Sequence, residues 1–330
     1  MFKVNIYRGK FIESSHNIKA LVINNKNKII YSTKNNNDYI YPRSAIKIFQ
    51  SIPFVLSGAP EYYKINTAQI ALSASSHFGE KKHINYLKNW LNKIKVREKL
   101  LKCGVHNPLN LESSNKLLLK GKKPSEIHNN CSGKHLGMIS TSKFKGYNLS
   151  NYTNFNHPIQ KEILNILENF TESKISNKYK AVDGCSAPQY AFKIESLSLA
   201  MSKIASFNEL DFKISLVINK LLYSIANNPF FIGGTNRFDS ELIRITKGRL
   251  FCKIGAEGVL LFADIHNKYG GVIKVLDGNQ RAIPSAAITL LKKIKSINAS
   301  EQKKLNKFWN PEILFNHANK KIGIISCKKL

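Results

Sequence analysis

A serine three residues ahead of a lysine, Ser44-Ala45-Ile46-Lys47, sets a hydroxyl and an amine about one helical turn apart on one face. A serine hydroxyl is a weak nucleophile until a neighbour takes its proton, and a lysine can do so when burial or another cation keeps it neutral. The same spacing arises by chance on many helices, where the serine is a cap and the lysine is solvated, so the motif needs company. Lys253-Ile254-Gly255, late in the chain, supplies a second lysine next to a glycine. Pro42 suits the first turn of the helix that would carry Ser44, and Pro53 is expected to end it. A serine there would gain a favourable dipole for developing negative charge.

Four polar clusters could join this pair. Ser73-Ala74-Ser75-Ser76-His77-Phe78-Gly79-Glu80 follows an apolar run and reads either as a loop reaching into a site or as a plain helix end. The densest cluster is His128-Asn129-Asn130-Cys131-Ser132-Gly133-Lys134-His135, with Asp183-Gly184-Cys185-Ser186-Ala187-Pro188 as a second cysteine-bearing stretch. Buried structural cysteine is the usual fate of a lone thiol. Two thiols flanked by Asp, Lys and His could instead ligate zinc, although there is no C-x-x-C hook. In Gly233-Gly234-Thr235-Asn236-Arg237-Phe238-Asp239-Ser240-Glu241, a glycine turn precedes Arg, Asp and Glu. These charges could grip the two ends of an α-amino acid, or simply pair with each other.

The elements that must position these groups fall into blocks. Short β-rich stretches at 2–8, 17–23 and 28–33 open the chain, and others at 249–253, 258–265 and 271–276 follow a long helical middle. Ile84, Leu87, Leu91 and Ile94 keep a 3.6-residue period, with Gly104 placed as a helix C-cap; Pro158 is placed at the first position of another helix, and 210–226 and 284–294 read as helices. The expected class is α+β: one domain over 1–330, in which strands from 1–35 and 247–280 share an antiparallel sheet and 50–230 forms a mostly helical lobe. No glycine pattern has the spacing of a dinucleotide or phosphate loop.

A formal net charge of +30, from 51 Lys and Arg against 21 Asp and Glu, would ordinarily suggest nucleic acid. The lysines are scattered, however, and Asn and Ile are abundant too, as codon bias in an AT-rich genome produces. Five cysteines without scaffold spacing, no apolar stretch at the N-terminus and no membrane-length apolar run lead to the expectation of a reduced, cytoplasmic protein.

The motifs Tyr-Pro-Arg-Ser-Ala-Ile-Lys, Ser-Ser-His-x-Gly-Glu, His-Asn-Asn-Cys-Ser-Gly-Lys-His, Asp-Gly-Cys-x-x-Pro, Gly-Gly-Thr-x-Arg-Phe-Asp and Lys-x-Gly-Ala-Glu-Gly occur in that order. Gly271-Val-Ile-Lys-Val-Leu-Asp-Gly278 with Arg281-Ala282 completes the set. Together they resemble the rhizobial-type (class 3) L-asparaginase family from about residue 2 to 295, whose fold is similar to serine β-lactamases and glutaminases. A Ser-x-x-Lys with a late Lys-x-Gly is also the β-lactamase and penicillin-binding-protein layout. The resemblance implies two Ser-Lys pairs, Ser44 with Lys47 and Ser76 with Lys253. It also implies zinc on Cys131, Lys134 and Cys185 with Asp183 close by, and substrate contacts from Arg43, Glu80, Asp183, Arg237, Asp239 and Glu241. L-Asparagine is the expected substrate and a homodimer the expected assembly, with no specific nucleic acid and no membrane as partners. A glutaminase or β-lactam hydrolase is the alternative on the same fold, and a basic nucleic-acid-binding protein the alternative of another class. Phe78 stands where a small residue is commoner in the family, Ala187 lacks the usual glycine before it, and Ile254 replaces the Thr of Lys-Thr-Gly.

Overall fold

Strands from the two ends of the sequence share one antiparallel sheet, as expected. In the computed structural model its order is Glu312–Phe315, Lys321–Cys327, Phe2–Arg8, Phe11–Asn24, Tyr269–Val275, Val259–Asp264, Leu250–Gly255, with Ile29–Ser32 paired to Phe11–Asn24. The structure describes residues 1–34 and 36–327; Asn35, inside the expected strand block 1–35, and residues 328–330, inside the tail 296–330, lie outside the described residues. Register places Val272 between Leu21 and Leu261, and Ile273 between Ala20 and Leu260, all buried. Continuous apolar runs such as Val-Leu-Leu-Phe-Ala in Val259–Asp264, buried at every position, show that this part of the sheet is covered on both faces.

The chain divides into two units. The first contains the sheet and comprises Met1–Ala45, Phe192–Ser206 and the chain from Ile245 onward. Within it the helix Ile194–Ala205 lies close on the sheet, where Ser198 Oγ donates to the carbonyls of Leu21 (3.2 Å) and Gly270 (2.9 Å). The tail beyond 295 carries none of the motifs, yet it supplies the helix Ala299–Trp309 and two strands. Lys321–Cys327 pairs directly with Phe2–Arg8, setting Ile6 opposite Ile325.

The second unit, Ile46–Ala191 with Phe207–Arg244, is mostly helical. Its central helix Lys47–Leu56 buries every residue from Lys47 to Val55, the mark of a helix surrounded by others. It packs on Ser132–Phe144, Pro158–Thr171 and Phe212–Asn227. Phe49 meets Phe170 and Phe54 meets Trp90, both at 5.2 Å between ring centroids.

Two boundary expectations need correction. Pro53 lies inside Lys47–Leu56 and does not end it. An interior proline costs about 3 kcal/mol in a helix, which burial of the whole element outweighs here. The helix Lys81–Ile94 stops at Lys95, which takes the left-handed conformation itself (φ 49°), so Gly104 belongs to a later loop. Pro158 does begin its helix, where His157 caps Ile159 N through Nδ1 at 3.2 Å.

Candidate active site

In the first unit, Arg43–Ile46 is a 3-10 turn that passes straight into the helix beginning at Lys47. Three residues per turn bring positions i and i+3 of such a turn onto one line. Arg43 holds φ 53°, a strained conformation for a non-glycine residue. Gly255 explains the glycine of Lys-x-Gly: a Cβ there would meet Pro42 O at 2.2 Å and Ala45 N at 3.1 Å. Only a glycine lets the strand bearing Lys253 lie against the turn bearing Ser44. Lys253 is 1% exposed, and its Nζ donates to Ile254 O at 2.9 Å.

In the second unit Lys47, also 1% exposed, sends Nζ to Ser75 O (2.5 Å), Ser76 Oγ (3.0 Å) and Asn130 O (3.5 Å). The serine hydroxyl that Lys47 reaches is the one that the resemblance assigned to Lys253. Residues 75–80 leave the helix Thr67–Ser73, which starts with an Asn66–Gln69 capping box. They are pinned by Ser76 N to Ile232 O and Phe78 N to Gly233 O, both 2.9 Å. His77 is wholly buried, and burial before all else holds its imidazole well below the usual histidine range. Its Nδ1 accepts from Gly79 N (3.1 Å). Its Nε2 lies 2.8 Å from Ser132 Oγ, which itself donates to Ile127 O (3.0 Å). A neutral ring with the proton on Nε2 satisfies all three bonds, and it ties the Ser76 segment to the Cys131 cluster.

The two cysteine stretches converge. One ligand atom from each of Cys131, Asp183 and Cys185 lies within 4.8 Å of the others, a group that could hold a metal ion. Lys134 Nζ is 3.0 Å from Cys185 Sγ. Gly133 permits this by leaving room for Leu72 O, which a Cβ would meet at 2.2 Å. The hydrogen bond from Cys131 stabilises Cys185 as a thiolate against the cost of burial, and the charges of Lys134 and His135 add to it, so the Cys185 thiol ionises far below the usual range. The same hydrogen bond, with burial, pushes Cys131 up. Burial would lower the Lys134 ammonium, but Cys185, Cys131 and Asp183 outweigh it and hold it above the usual lysine range. Without a metal, then, the cluster is a thiol, a thiolate and an ammonium.

The residues expected to bind substrate have varied surroundings. Glu80 accepts from Thr235 N and Thr235 Oγ1, both 2.7 Å, and so clamps the Gly233-Gly234 loop. Arg237 stacks its guanidinium 4.0 Å from the centre of the Phe78 ring. Asp239 is 3% exposed and accepts from Ser240 N (3.1 Å). Glu241 is engaged by Arg244, three residues on along its own helix, with Nε to Oε2 at 3.0 Å. Asp183 is half-buried, with Oδ2 3.5 Å from Cys185 Sγ. Sequence reasoning did not single out Thr235 or the Phe78–Arg237 stack. The unusual Phe78 was the available signal for the second.

An antiparallel α+β enzyme frame with a buried lysine on a serine hydroxyl defines a class, and comparison with known proteins narrows it. The model of the family described as L-asparaginase II matches residues 4–327, so the chain belongs to the L-asparaginase II family. It is an L-asparagine amidohydrolase. No curated protein matches. Among solved structures the chain is similar to one described as "putative beta-lactamase from Bacteroides dorei DSM 17855", at 9% identity and a TM-score of 0.41, covering 85% of this chain and 94% of that one.

Proposed function

We propose that hydrolysis runs through an acyl-enzyme on Ser44. Lys47, as the neutral amine, takes the Ser44 proton while Oγ bonds to the side-chain amide carbon and backbone N–H groups steady the oxyanion. The carbon–nitrogen bond breaks, the amide nitrogen receives that proton, and ammonia leaves. Water then cleaves the ester to give L-aspartate and free Ser44. Ser76 and Lys253 relay protons and orient the first pair. Arg43 and Arg237 serve the α-carboxylate, and Glu80, Asp183, Asp239 and Glu241 are the acids proposed for the ammonium end.

The observation that carries this reading is the 3.0 Å contact that Lys47, three residues after Ser44 in the sequence, makes through Nζ with Ser76 Oγ. The test is a panel of asparagine, glutamine and a chromogenic β-lactam, with acid-quenched samples weighed for a covalent adduct on the Ser44 peptide. Asparagine is expected to be favoured, since an extra methylene typically costs about 1–3 kcal/mol in a fitted pocket. Equal efficiency on glutamine points to the glutaminase alternative, and no adduct at Ser44 overturns the mechanism.

Zinc is proposed at Cys131, Cys185 and Lys134, with Asp183 alongside. Two sulfurs, an amine and a carboxylate oxygen are donors that zinc accepts. Bound there, a dication would supply Lewis acidity and positive charge. A homodimer in the cytoplasm is the proposed state, tested by light scattering after gel filtration and by cell fractionation. Among the described residues no helix is long and apolar enough to cross a membrane.

A further inference from the structure

A cavity of about 460 Å³ opens among the helix Lys81–Ile94, the helix Leu111–Leu119 and the chain that follows it. Six of its fourteen lining residues are lysines: Lys81, Lys88, Lys116, Lys120, Lys122 and Lys123. Among the described residues no carboxylate lines it. Lys116 is paired with Glu112 on its own helix. The other five form no ion pair with a described carboxylate. Elsewhere in the same unit lysines do find acids, as Lys145 does Glu162, Lys174 Glu168 and Lys220 Glu61.

A second observation concerns the fourteen-residue helix Lys81–Ile94, whose N-terminus contributes Gly79 and Lys81 to the wall. Its N-cap, Glu80, gives no side-chain cap, because that carboxylate is spent on Thr235. Its first turn holds Lys81 and Lys82 and no acid. Helix N-termini favour negative charge; of these two lysines Lys81 lines the cavity, while Lys82 lies over the Phe230 and Phe231 rings. Ammonium groups gathered around a concavity focus positive potential there. A single phosphate would neutralise only a fraction of the five cations that have no described carboxylate, whereas a chain of phosphates matches both the charge and the volume.

We propose that this cavity binds a compact anion carrying several phosphates. The proposal stands independently of the amidohydrolase reading. The test is calorimetric titration of the full chain with tripolyphosphate and with a nucleoside triphosphate at low ionic strength, where screening is weak. One saturable site per chain is expected. Lys120→Gln, Lys122→Gln and Lys123→Gln together should weaken it at least about tenfold, or about 1.4 kcal/mol. Lys3→Gln, Lys26→Gln and Lys303→Gln remove the same charge from exposed positions outside the cavity and should weaken it by less than about twofold. Equal affinity for the two probes assigns recognition to the phosphates alone, and tighter binding of the nucleotide adds a nucleoside contact. Unsaturable binding, equal weakening by the control set, or tighter binding of a short single-stranded oligonucleotide at the same lysines would each overturn the proposal.

Discussion

Two cationic regions of the helical unit differ in what surrounds the ammonium groups. Lys47 and Lys134 are 1% and 3% exposed, and both have specific partners: carbonyls and a serine hydroxyl for one, a thiolate for the other. The lysines of the 460 Å³ cavity are exposed, and five of six form no ion pair with a described carboxylate. Burial forces a cation to be compensated from within the protein, because an unpaired charge there costs several kcal/mol. Exposure leaves compensation to the solvent or to a ligand. The formal charge of +30 is therefore no guide to function by itself. A lysine's partners decide whether it does chemistry, structure or ligand capture.

The sharpest way to break this contrast is to remove the groups that the buried side supports. Ser44→Ala should lower ammonia release by several orders of magnitude while circular dichroism stays native, as loss of a covalent nucleophile does elsewhere. Near-normal release would show that Lys47 is buried for structure alone. Lys253→Met should cost more than about tenfold, which is about 1.4 kcal/mol of transition-state stabilisation. A smaller loss would make Lys253 peripheral.

The thiolate cluster offers a test on the proton. Since the metal-free cluster holds Lys134 as ammonium and Cys131 as thiol, zinc binding near neutral pH should release about two protons, with none from Cys185. Calorimetry in buffers of different ionisation enthalpy reads that number, and Cys185→Ser should abolish stoichiometric zinc. Cys103 makes a useful contrast within the protein. It is as deeply buried as the other two, and burial, with the charge of Cys185 adding to it and Lys134 opposing, pushes it up to about 12, so it should neither bind zinc nor react with iodoacetamide in the native state.

Buried histidines extend the comparison to stability. Burial lowers His83 to about 4, against an ordinary value of 6.5, with Glu80 opposing the shift and Lys82 adding to it. A folded pKa below the unfolded one means that the unfolded chain binds more protons between those values. The stability contributed by His83 is thus present above pH 6.5 and is lost as pH falls toward 4, by about 3 kcal/mol in all. His77 acts in the same direction. Urea unfolding at pH 7 and pH 4.5 should show the drop, and His83→Gln should flatten it. The smallest effect expected is on specificity. Phe78→Ser removes the stack under Arg237, and a cation–π contact of about 0.5–2 kcal/mol corresponds to a KM rise of roughly two- to thirtyfold with kcat changed less. An unchanged KM would detach Arg237 from substrate binding.

The sequence by itself determined a good deal. Periodicity and prolines located the helix Pro158–Thr171 and the strands at both ends, because local propensity and burial agree there. The order of short motifs carried the family, since Ser-x-x-Lys, Lys-x-Gly and the two cysteine stretches each need fixed local geometry. Tertiary structure alone decided the rest. Nothing local says that Lys47 reaches Ser76, that Glu80 is spent on Thr235, or that Cys131 and Cys185 converge, because each contact joins segments at least 29 residues apart. The tail that pairs Lys321–Cys327 with Phe2–Arg8 was equally silent, since a strand partner is chosen by a backbone edge that carries no side-chain signature. The contrast between partnered and unpartnered lysines is of the same kind. A lysine's charge is written in the sequence, but its burial and neighbours belong to the fold.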